Sequence, residues 1–387
     1  MVLVDKYAIR ELNETIVLEH IINHGSLSRA EIASRTGLNK ATVSEIVKKL
    51  IESELVNEIG IGESTTSGGR RPILLELNKN AGFALSFDIG HNYIATMLHF
   101  LNGEIMSEHI IRDTEISKDN ILSKIESVVF GYQQNLPQTR YGIIGITIAV
   151  HGVVYNNEIV FTTYYDLEGL NIAEKLNERL GIPIFLENEA NLSAIAENTY
   201  TSNDKEYKNL ISISIHSGIG AGIILDGELY TGENGYSGEI GHKILFPDGK
   251  PCPCGNRGCL EQYCSEKAIL ESFSGQKQLT YHTITQLSIS YRNQEHTAIE
   301  LIDHAAKYLA IGINNVTTAF SPGVIYLNSR ITREVPDFIE KIKGNLTSFL
   351  NDDVELLNSK LGDKAILLGA SVVSIRNFLR IKSLKFR

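Results

Sequence analysis

The sequence predicts a mixed α/β protein that begins with a winged helix-turn-helix and continues into two α/β lobes with a cleft between them. The first eighty residues carry two short helical patterns followed by two short strand patterns. The remaining three hundred residues alternate strands with helices, which is typical of mixed sheets covered by helices. The chain of 387 residues is also too long for one ordinary hydrophobic core.

The stretch "SLSRAEIASRTGLNKATVSEIVKKLIESELV" predicts the helix-turn-helix. Ser28 and Glu31 form a capping box for the first helix, Gly37 suits the turn, and Asn39 can cap the second helix. Small polar side chains on the second helix can reach base edges, and its lysines can neutralise phosphates. The candidate DNA contacts on its polar face are Asn39, Lys40, Thr42, Ser44, Lys48 and Lys49. Its apolar face carries Val43, Ile46, Val47, Leu50 and Ile51 at helical spacing.

A β-hairpin wing is predicted by "LVNEIGIGESTTSGGRRPILLELN", with Arg70 and Arg71 at its base. Arginines on such a hairpin suit a narrow minor groove. Residues 1–80 contain ten Lys and Arg against eleven Asp and Glu, and this neutrality favours the alternative of a winged helix that contacts a protein. Because the basic residues concentrate on the second helix and the wing, we predict binding to operator DNA.

Composition limits the remaining classes of protein. With 43% hydrophobic and 21% charged residues, the chain has the composition of a soluble globular protein. No apolar run is long enough for a membrane span, and charges near the N-terminus exclude a secretory signal, so we expect a cytoplasmic protein without a membrane partner. The net charge of −10 argues against a surface that coats nucleic acid but allows one small DNA-reading module.

All four cysteines fall within thirteen residues, in "GEIGHKILFPDGKPCPCGNRGCLEQYC". His242, Cys252, Cys254 and Cys259 supply one imidazole and three thiolates, which closes a tetrahedral and therefore structural zinc site. Cys264 is surplus, and we predict it to be a small buried hydrophobe. The rival interpretation, a redox thiol pair, fits less well because Cys-x-Cys differs from the usual Cys-x-x-Cys.

Acidic and amide side chains surround this predicted zinc site. Glu239 lies three residues before His242, Glu261 lies two after Cys259, and "IFLENEANL" places Asn188 and Glu189 after a strand. Carboxylates and amides that converge in a cleft suit a polyol, because each oxygen can accept a hydrogen bond from a sugar hydroxyl.

Two further loops have the composition of phosphate-binding loops. "FDIGHN" places Asp88 after a strand with Gly90 close by, and "HSGIGAGI" has glycines at positions 218, 220 and 222. Backbone amides freed by glycine can bind phosphate, and a strand-end aspartate can hold magnesium. Each signal alone is weak, because such turns join strands in many other proteins.

The chain resembles the ROK family over essentially its full length. The segments that carry the resemblance are "FDIG", "SGIGAGI", "GEIGH", "CPCGNRGCLE", "LAIGINNVTTAFSPGVIYL" and "LLGA". The resemblance implies a two-lobed, actin-like ATPase core of ribonuclease H type with sugar bound in the cleft. It implies a winged helix over residues 1–78 and a ROK domain over 79–387. Lobe one then covers about 79–190 plus a C-terminal helix over about 366–387, and lobe two covers about 191–365.

The resemblance also assigns roles to residues. Asn188 and Glu189 match the family's Asn-Asp pair, whose aspartate is the catalytic base in sugar kinases. Glu239, His242 and Glu261 match positions that contact sugar, and Gly152 matches a Pro-Gly turn of the sugar pocket, with a histidine at position 151 in place of the proline.

Several departures from the kinase pattern predict that the ATP site is lost while the sugar site is kept, so that the chain is not an enzyme. Glu189 is one methylene longer than the expected aspartate, and a misplacement of about an ångström can cost about a hundredfold in rate. Other departures add side chains where the family's backbone meets nucleotide. They are His91, His216, Ser217, Asn328 and Ser329.

The function implied is a sugar-responsive transcriptional repressor that binds a palindromic operator as a homodimer, with a tetramer as the alternative assembly, and is released by sugar. "ENEAN" with the absent kinase signature is most similar to the xylose-responsive repressors of the family. A pentopyranose lacks the exocyclic CH₂OH of a hexose, so a longer Glu189 can fill that space. The alternatives are an active sugar kinase with a DNA-binding domain and a regulator that senses glucose or an N-acetylglucosamine derivative.

Overall fold

A computed structural model describes residues 6–61, 71–162, 165–200, 206–277 and 283–386 of the chain. The mixed α/β class predicted from the sequence is confirmed. Within these residues, no helix combines the length and the apolar character that a membrane span requires.

The N-terminal module is a winged helix. Its elements are α1 (Lys6–His24), β1 (Leu27–Ser28), α2 (Arg29–Thr36), α3 (Lys40–Glu52), β2 (Val56–Ile61) and β3 (Ile73–Leu77). The three strands form an antiparallel sheet in the order β1-β3-β2. The predicted caps are confirmed: Ser28 and Glu31 form the capping box of α2, Gly37 ends α2 with φ +71°, and Asn39 caps α3. The helix α1 has no counterpart among the sequence predictions.

The capping box gives a prediction on stability. Hydrogen bonds from Ser28 lower the pKa of the Glu31 carboxyl in the folded state. The contribution of Glu31 to the free energy of unfolding is therefore fully present above its pKa in the unfolded chain, and it is lost as the pH falls through its pKa in the folded chain. Ser28→Ala is expected to lower the free energy of unfolding by about 1 kcal/mol at neutral pH, and by less at about pH 3.5. Urea unfolding at both pH values measures this, with the exposed Ser34→Ala on the same helix as control. An equal loss at both pH values would contradict it.

The next part of the chain forms a five-stranded sheet. Its elements and those that follow them are β4 (Phe83–Ile89), β5 (Tyr93–Phe100), β6 (Ile105–Arg112), α4 (Ile121–Asn135), β7 (Ile143–Val150), β8 (Gly152–Tyr155), β9 (Glu158–Thr162), α5 (Ile172–Leu180) and β10 (Ile184–Asn188). The sheet order is β10-β7-β4-β5-β6, with β4 antiparallel to β5 and parallel to β7. Both β4 and β7 are buried along their whole length, which explains their continuous apolar sequences.

The remaining elements are the strands of a second five-stranded sheet and the helices around them. They are α6 (Glu189–Tyr200), β11 (Leu210–Ile215), β12 (Ile219–Leu225), β13 (Glu228–Leu229), α7 (Glu261–Cys264), α8 (Glu266–Lys277), α9 (Ile284–Arg292), α10 (His296–Phe320), β14 (Val324–Asn328), α11 (Arg330–Glu334), α12 (Phe338–Gly344), β15 (Glu355–Asn358) and α13 (Ala365–Leu379). The order β13-β12-β11-β14-β15 repeats that of the first sheet, with β11 antiparallel to β12 and parallel to β14. Each sheet therefore has the ribonuclease H type of topology.

The chain divides into two compact units. One contains residues 1–150, 156–187 and 370–387, and the other contains residues 151–155 and 188–369. The winged helix belongs to the first unit, and the division into domains drawn from the sequence stays a prediction. The C-terminal helix is shorter than predicted: it ends at Leu379 rather than running to residue 387, because Arg380 adopts a left-handed backbone with φ +54°.

Two sets of contacts within the first unit hold the winged helix. At the end of α3, the Tyr141 hydroxyl donates to the Ser53 carbonyl at 2.8 Å, and Arg140 pairs with Glu54 at 3.1 Å. The C-terminal tail, residues 381–386, is hydrogen bonded to α1 at Glu19. The module is thus attached at both its first and its third helix.

Candidate functional site

The predicted zinc ligands come together. One ligand atom from each of His242, Cys252, Cys254 and Cys259 lies within 4.8 Å of all the others. Cys252 Sγ is 3.5 Å from His242 Nδ1, and Cys254 Sγ is 3.8 Å from Cys259 Sγ. Tetrahedral zinc with bonds of about 2.3 Å to sulfur and about 2.05 Å to nitrogen requires separations of about 3.6 and 3.8 Å. The donor set and its spacing therefore fit a structural zinc ion.

A tight knuckle of backbone holds the cysteine ligands. The N–H of Gly255 donates to the carbonyl of Cys252 at 3.0 Å, and the N–H of Cys252 donates to the carbonyl of Asn256 at 2.9 Å. Cys259 is fully buried and Cys254 is exposed. Cys264 is fully buried in the hydrophobic core of the second unit, as predicted.

The "GEIGH" segment is pressed against β12 by its glycines. A Cβ at Gly238 would lie 1.8 Å from the Ala221 carbonyl oxygen, so no other residue fits there, and Gly238 also has φ +91°. The same turn presents Glu239 and His242 side by side, with His242 Nε2 3.6 Å from Glu239 Oε2. Since Nδ1 of His242 faces Cys252, its two ring nitrogens connect the metal ligands to a carboxylate.

Three carboxylates gather beside this turn. Burial raises the pKa of Glu239; His242 opposes the shift, while the negative charges of Glu261 and Glu189 add to it. A Cβ at Gly218 would lie 3.0 Å from Glu261 Oε2. The absence of a side chain at Gly218 therefore leaves room for the Glu261 carboxylate. This part of the glycine-rich hairpin faces a glutamate, although its sequence was predicted to bind phosphate.

The "ENEAN" segment supplies the third carboxylate at the N-terminus of α6. Asn188 serves the local backbone: its Nδ2 donates to the Gly152 carbonyl at 2.7 Å, and its Oδ1 accepts from the Ala190 and Asn191 N–H groups at 2.8 and 3.2 Å. Glu189 Oε2 is shielded from solvent and has no hydrogen-bond partner among the described residues. A buried acceptor without a donor costs about 1–3 kcal/mol, so this oxygen is poised for a ligand hydroxyl.

The predicted DNA contacts differ in exposure. Those exposed on α3 are Asn39, Lys40, Ser44 and Lys48, whereas Thr42 and Lys49 are half-buried. Asn39 Oδ1 accepts from the Thr42 N–H at 2.8 Å, so its side chain is used as a cap. Arg71 is exposed, and Arg70 lies outside the described residues.

Comparison with known proteins places the chain in a family. The sequence profile of the ROK family matches residues 84–377, which is most of the chain. The chain belongs to the ROK family. The MarR family profile matches residues 11–60, within the winged helix of this ROK protein.

Relatives match both parts together. The xylose repressor of Bacillus spizizenii is 37% identical over 98% of this chain and 99% of its own. A crystal structure of a ROK family transcriptional regulator, described as a homolog of the E. coli MLC protein, covers 96% of both chains with a TM-score of 0.79 and 27% identity. A ROK family glucokinase from Streptomyces griseus, 23% identical, covers 76% of this chain and 99% of its own with a TM-score of 0.66, which shows the shared fold of the ROK domain.

The loop "FDIGHN", which was predicted to bind phosphate, is filled by the chain's own Tyr93. The Tyr93 hydroxyl donates to Asp88 Oδ2 at 2.9 Å, and a Cβ at Gly90 would lie 1.9 Å from the Tyr93 ring. His91, which the sequence placed against a phosphate, is exposed. Tyr93 rather than His91 therefore covers Gly90 and donates a hydrogen bond to Asp88, the predicted magnesium ligand.

The family's Gly-Gly position is also filled. Asn328 is fully buried, with Nδ2 donating to the Gly362 carbonyl at 3.1 Å and Oδ1 accepting from Arg333 at 3.0 Å. Ser329 Oγ donates to Glu266 Oε1 at 2.6 Å, and the Arg330 N–H donates to the same oxygen at 2.6 Å. The carboxylate of Glu266 thus contacts Ser329, one of the departures from the kinase pattern on which the predicted loss of the ATP site rests.

Proposed function

We propose that this chain is a sugar-responsive transcriptional repressor that binds a palindromic operator as a homodimer and is released by D-xylose. The observation that carries the proposal is the combination, in one chain, of a winged helix with an exposed α3 and a shielded, unpartnered oxygen on Glu189 near a zinc-type ligand set. The relative named xylose repressor, similar over nearly the whole chain, supports it.

Sugar recognition is assigned to carboxylates and backbone of the second unit. Glu189 accepts a hydrogen bond from one sugar hydroxyl, and Glu239 and Glu261 accept hydrogen bonds from others. His242 Nε2 lies beside Glu239. Asn188 and the Gly152 carbonyl fix the start of α6, so they position Glu189 as well as line the site. Zinc, held by His242 and the three cysteines, supplies rigidity only, because four protein ligands leave it no open position.

D-xylose is favoured over hexoses by the length of Glu189. Its carboxylate reaches further than the aspartate of the kinase pattern, into space that a hexose would need for its exocyclic CH₂OH. Glucose and N-acetylglucosamine derivatives are the competing effectors. Both carry the exocyclic CH₂OH that a pentose lacks, so the carboxylate of Glu189 would distinguish them from D-xylose.

Operator binding is assigned to α3 and the wing. Lys40 and Lys48 are exposed cations that can neutralise phosphates, and Ser44 is the exposed small polar group between them. Arg71 lies two residues before the second wing strand β3 and follows Arg70 in the sequence. Release by sugar requires the DNA-free state to bind sugar more tightly, by a coupling of typically about 1–3 kcal/mol.

The decisive experiment measures operator affinity with and without sugar. A duplex is first selected from a random library by the purified protein, and its anisotropy is then followed against D-xylose, D-glucose and N-acetylglucosamine. Glu189→Gln should keep operator affinity and weaken the response to D-xylose about 10- to 100-fold, because a hydrogen bond to a charged acceptor contributes about 1.5–3 kcal/mol. The exposed Glu271→Gln in the same unit is the control.

Three outcomes would count against this proposal. An unchanged D-xylose response in Glu189→Gln would remove Glu189 from the sugar site. Steady ATP turnover with any of the sugars would identify the chain as an active sugar kinase. Operator binding that is insensitive to salt would favour a winged helix that contacts protein, since phosphate contacts make DNA binding fall steeply with salt.

A further inference from the structure

The second unit contains an open cavity beside the turn that carries Glu239. Its volume is about 440 Å³, which lies within the range of about 300–1,000 Å³ that is typical of small-molecule sites. Three of the side chains that line it are aromatic, namely Tyr230, Tyr236 and Phe320. The polar and charged side chains of the lining are Glu233, Asn234, Ser237, Glu239 and Lys243. Aromatic walls with a few polar groups among them suit an amphipathic small molecule.

The aromatic wall of this cavity combines open rings with support from the core. Tyr230 is 45% exposed and Tyr236 is 56% exposed. Phe320 packs against the hydrophobic core of the second unit, and its ring centroid lies 6.3 Å from that of Tyr230. Two large rings are therefore available to a ligand in the same cavity, and one of them rests on a buried neighbour.

The loop that carries Tyr236, residues 231–238, is fixed at both ends to β12. Before the loop, the N–H of Tyr230 donates to the Ile223 carbonyl at 2.8 Å. At its end, the Gly238 carbonyl accepts from the N–H of Ala221 at 2.9 Å. A side chain on a loop that is held at both ends by a sheet has a defined position, which favours a binding role.

The same loop packs against β8, which also contacts the candidate sugar residues. A Cβ at Gly235 would lie 2.6 Å from the Val154 carbonyl oxygen, and Gly235 has φ +76°, so only glycine allows this approach. The strand β8 begins at Gly152, whose carbonyl accepts from Asn188 Nδ2 at 2.7 Å. Asn188 directly precedes Glu189. One strand thus supports both the aromatic loop and the start of α6.

We propose that this cavity is a second carbohydrate subsite, so that the candidate sugar site accepts a disaccharide of xylose units as well as D-xylose. The proposal names the substrate class of that site and rests on the proposed function. Glu239 belongs to both parts, since it lies beside His242 and also lines the cavity. A carboxylate has about four acceptor positions on its two oxygens, so Glu239 can accept hydrogen bonds from hydroxyls of both sugar units.

The chemistry of the lining favours a pyranose ring over other ligands. The C–H groups of a pyranose form apolar faces that an aromatic ring can cover, while its hydroxyls form a polar rim. Glu233 and Glu239 can accept from these hydroxyls, and Lys243 can donate to them. The two carboxylates disfavour a phosphate or sulfate, and the lysine disfavours a cationic ligand against the aromatic wall. A neutral polyol meets neither repulsion.

The test compares the binding of D-xylose with that of xylobiose, which contains two D-xylose units, by calorimetry. The unaltered protein should bind xylobiose about tenfold more tightly or better. Tyr236→Ala should weaken xylobiose binding about tenfold and leave the Kd for D-xylose within about threefold, because it removes the ring that the second unit covers. Tyr236→Phe keeps the ring and should keep both affinities. The control is Phe349→Ala, an exposed aromatic side chain of the same unit outside the cavity.

Equal affinities of the unaltered protein for the two sugars would overturn the second subsite and leave the proposed response to D-xylose intact. A xylobiose affinity that is unchanged in Tyr236→Ala would do the same. Xylobiose binding that depends on Tyr236 but does not release operator DNA would support the subsite and refute the proposed function. Failure to bind either sugar would refute both.

Discussion

The substitution Cys259→Ser is expected to reduce the zinc content of the chain from about one atom to near zero and to weaken the proposed D-xylose binding more than about a hundredfold. Cys259 is fully buried, and its sulfur lies 3.8 Å from that of Cys254. Serine is a poor zinc ligand and would leave a buried hydroxyl. Because structural zinc binding is coupled to folding, losing the ion should unfold the loop between Ile244 and Cys259.

The loss of sugar binding follows from the position of the carboxylates. Glu261 lies two residues after Cys259, and its Oε1 is 3.6 Å from His242 Nδ1, while Glu239 contacts the other nitrogen of the same ring. Without the metal, both carboxylates lose the support that sets their distance from Glu189. We expect the Kd for D-xylose to rise beyond about a hundredfold, since misplacement by about an ångström has effects of that size.

Zinc content is measured by atomic emission and sugar binding by calorimetry. The control is Cys264→Ala, which removes a buried sulfur that is hydrogen bonded only to the Leu260 carbonyl among the described contacts. That variant should keep about one zinc atom, with a modest loss of stability from the cavity. Full zinc occupancy in Cys259→Ser, or a normal sugar affinity in the metal-free protein, would contradict the assignment of a structural ion.

The gathering of the candidate zinc ligands and the helix caps could be predicted because their residues are close in the sequence. Cys252, Cys254 and Cys259 are confined to one knuckle, so spacing alone restricts their geometry. Ser28 and Glu31 form one helical turn, for which the capping pattern has a defined structure. In both cases the local chain determines which atoms meet.

The contacts at the positions that depart from the kinase pattern were missed because they depend on tertiary packing. Glu266 accepts from Ser329, which is far away in sequence, and nothing in "SEKAIL" indicates that this carboxylate would cap α11. Tyr93 lies only five residues from Asp88, but its ring covers Gly90 only because β4 and β5 form a hairpin. The Tyr93 hydroxyl could have been suspected from its nearness to "FDIG", whereas Glu266 offered no signal.

Removal of residues 381–387 is expected to unfold the winged helix while leaving sugar binding in place. The side chains of Ile381, Leu384 and Phe386 are at least 90% buried. Burial of three such side chains contributes on the order of 5 kcal/mol, and this figure is an upper estimate because unfolded chains already bury some apolar surface. A loss of that size is comparable to the whole stability of a small domain.

The tail also satisfies polar groups of α1, so its removal leaves them without partners. Glu19 accepts from the N–H groups of Lys382 and Ser383 at 3.3 and 3.4 Å. Asn23 donates to the Ser383 carbonyl at 3.2 Å and accepts from the Lys385 N–H at 2.8 Å. These contacts join backbone to side chain, so they persist when exposed tail side chains change and vanish when the chain ends earlier.

Hydrogen exchange on α1 and operator anisotropy measure the effect of ending the chain after Arg380. Exchange protection of α1 should fall and operator affinity should drop by more than about a hundredfold, because three buried apolar side chains contribute more than the 2.7 kcal/mol that this factor represents. The matched control is the double variant Lys382→Ala and Ser383→Ala, which trims two exposed side chains and keeps every backbone donor. Normal operator affinity in the shortened chain would mean that the attachment of α3 through Tyr141 is sufficient. The tail would then be dispensable for the DNA-reading module.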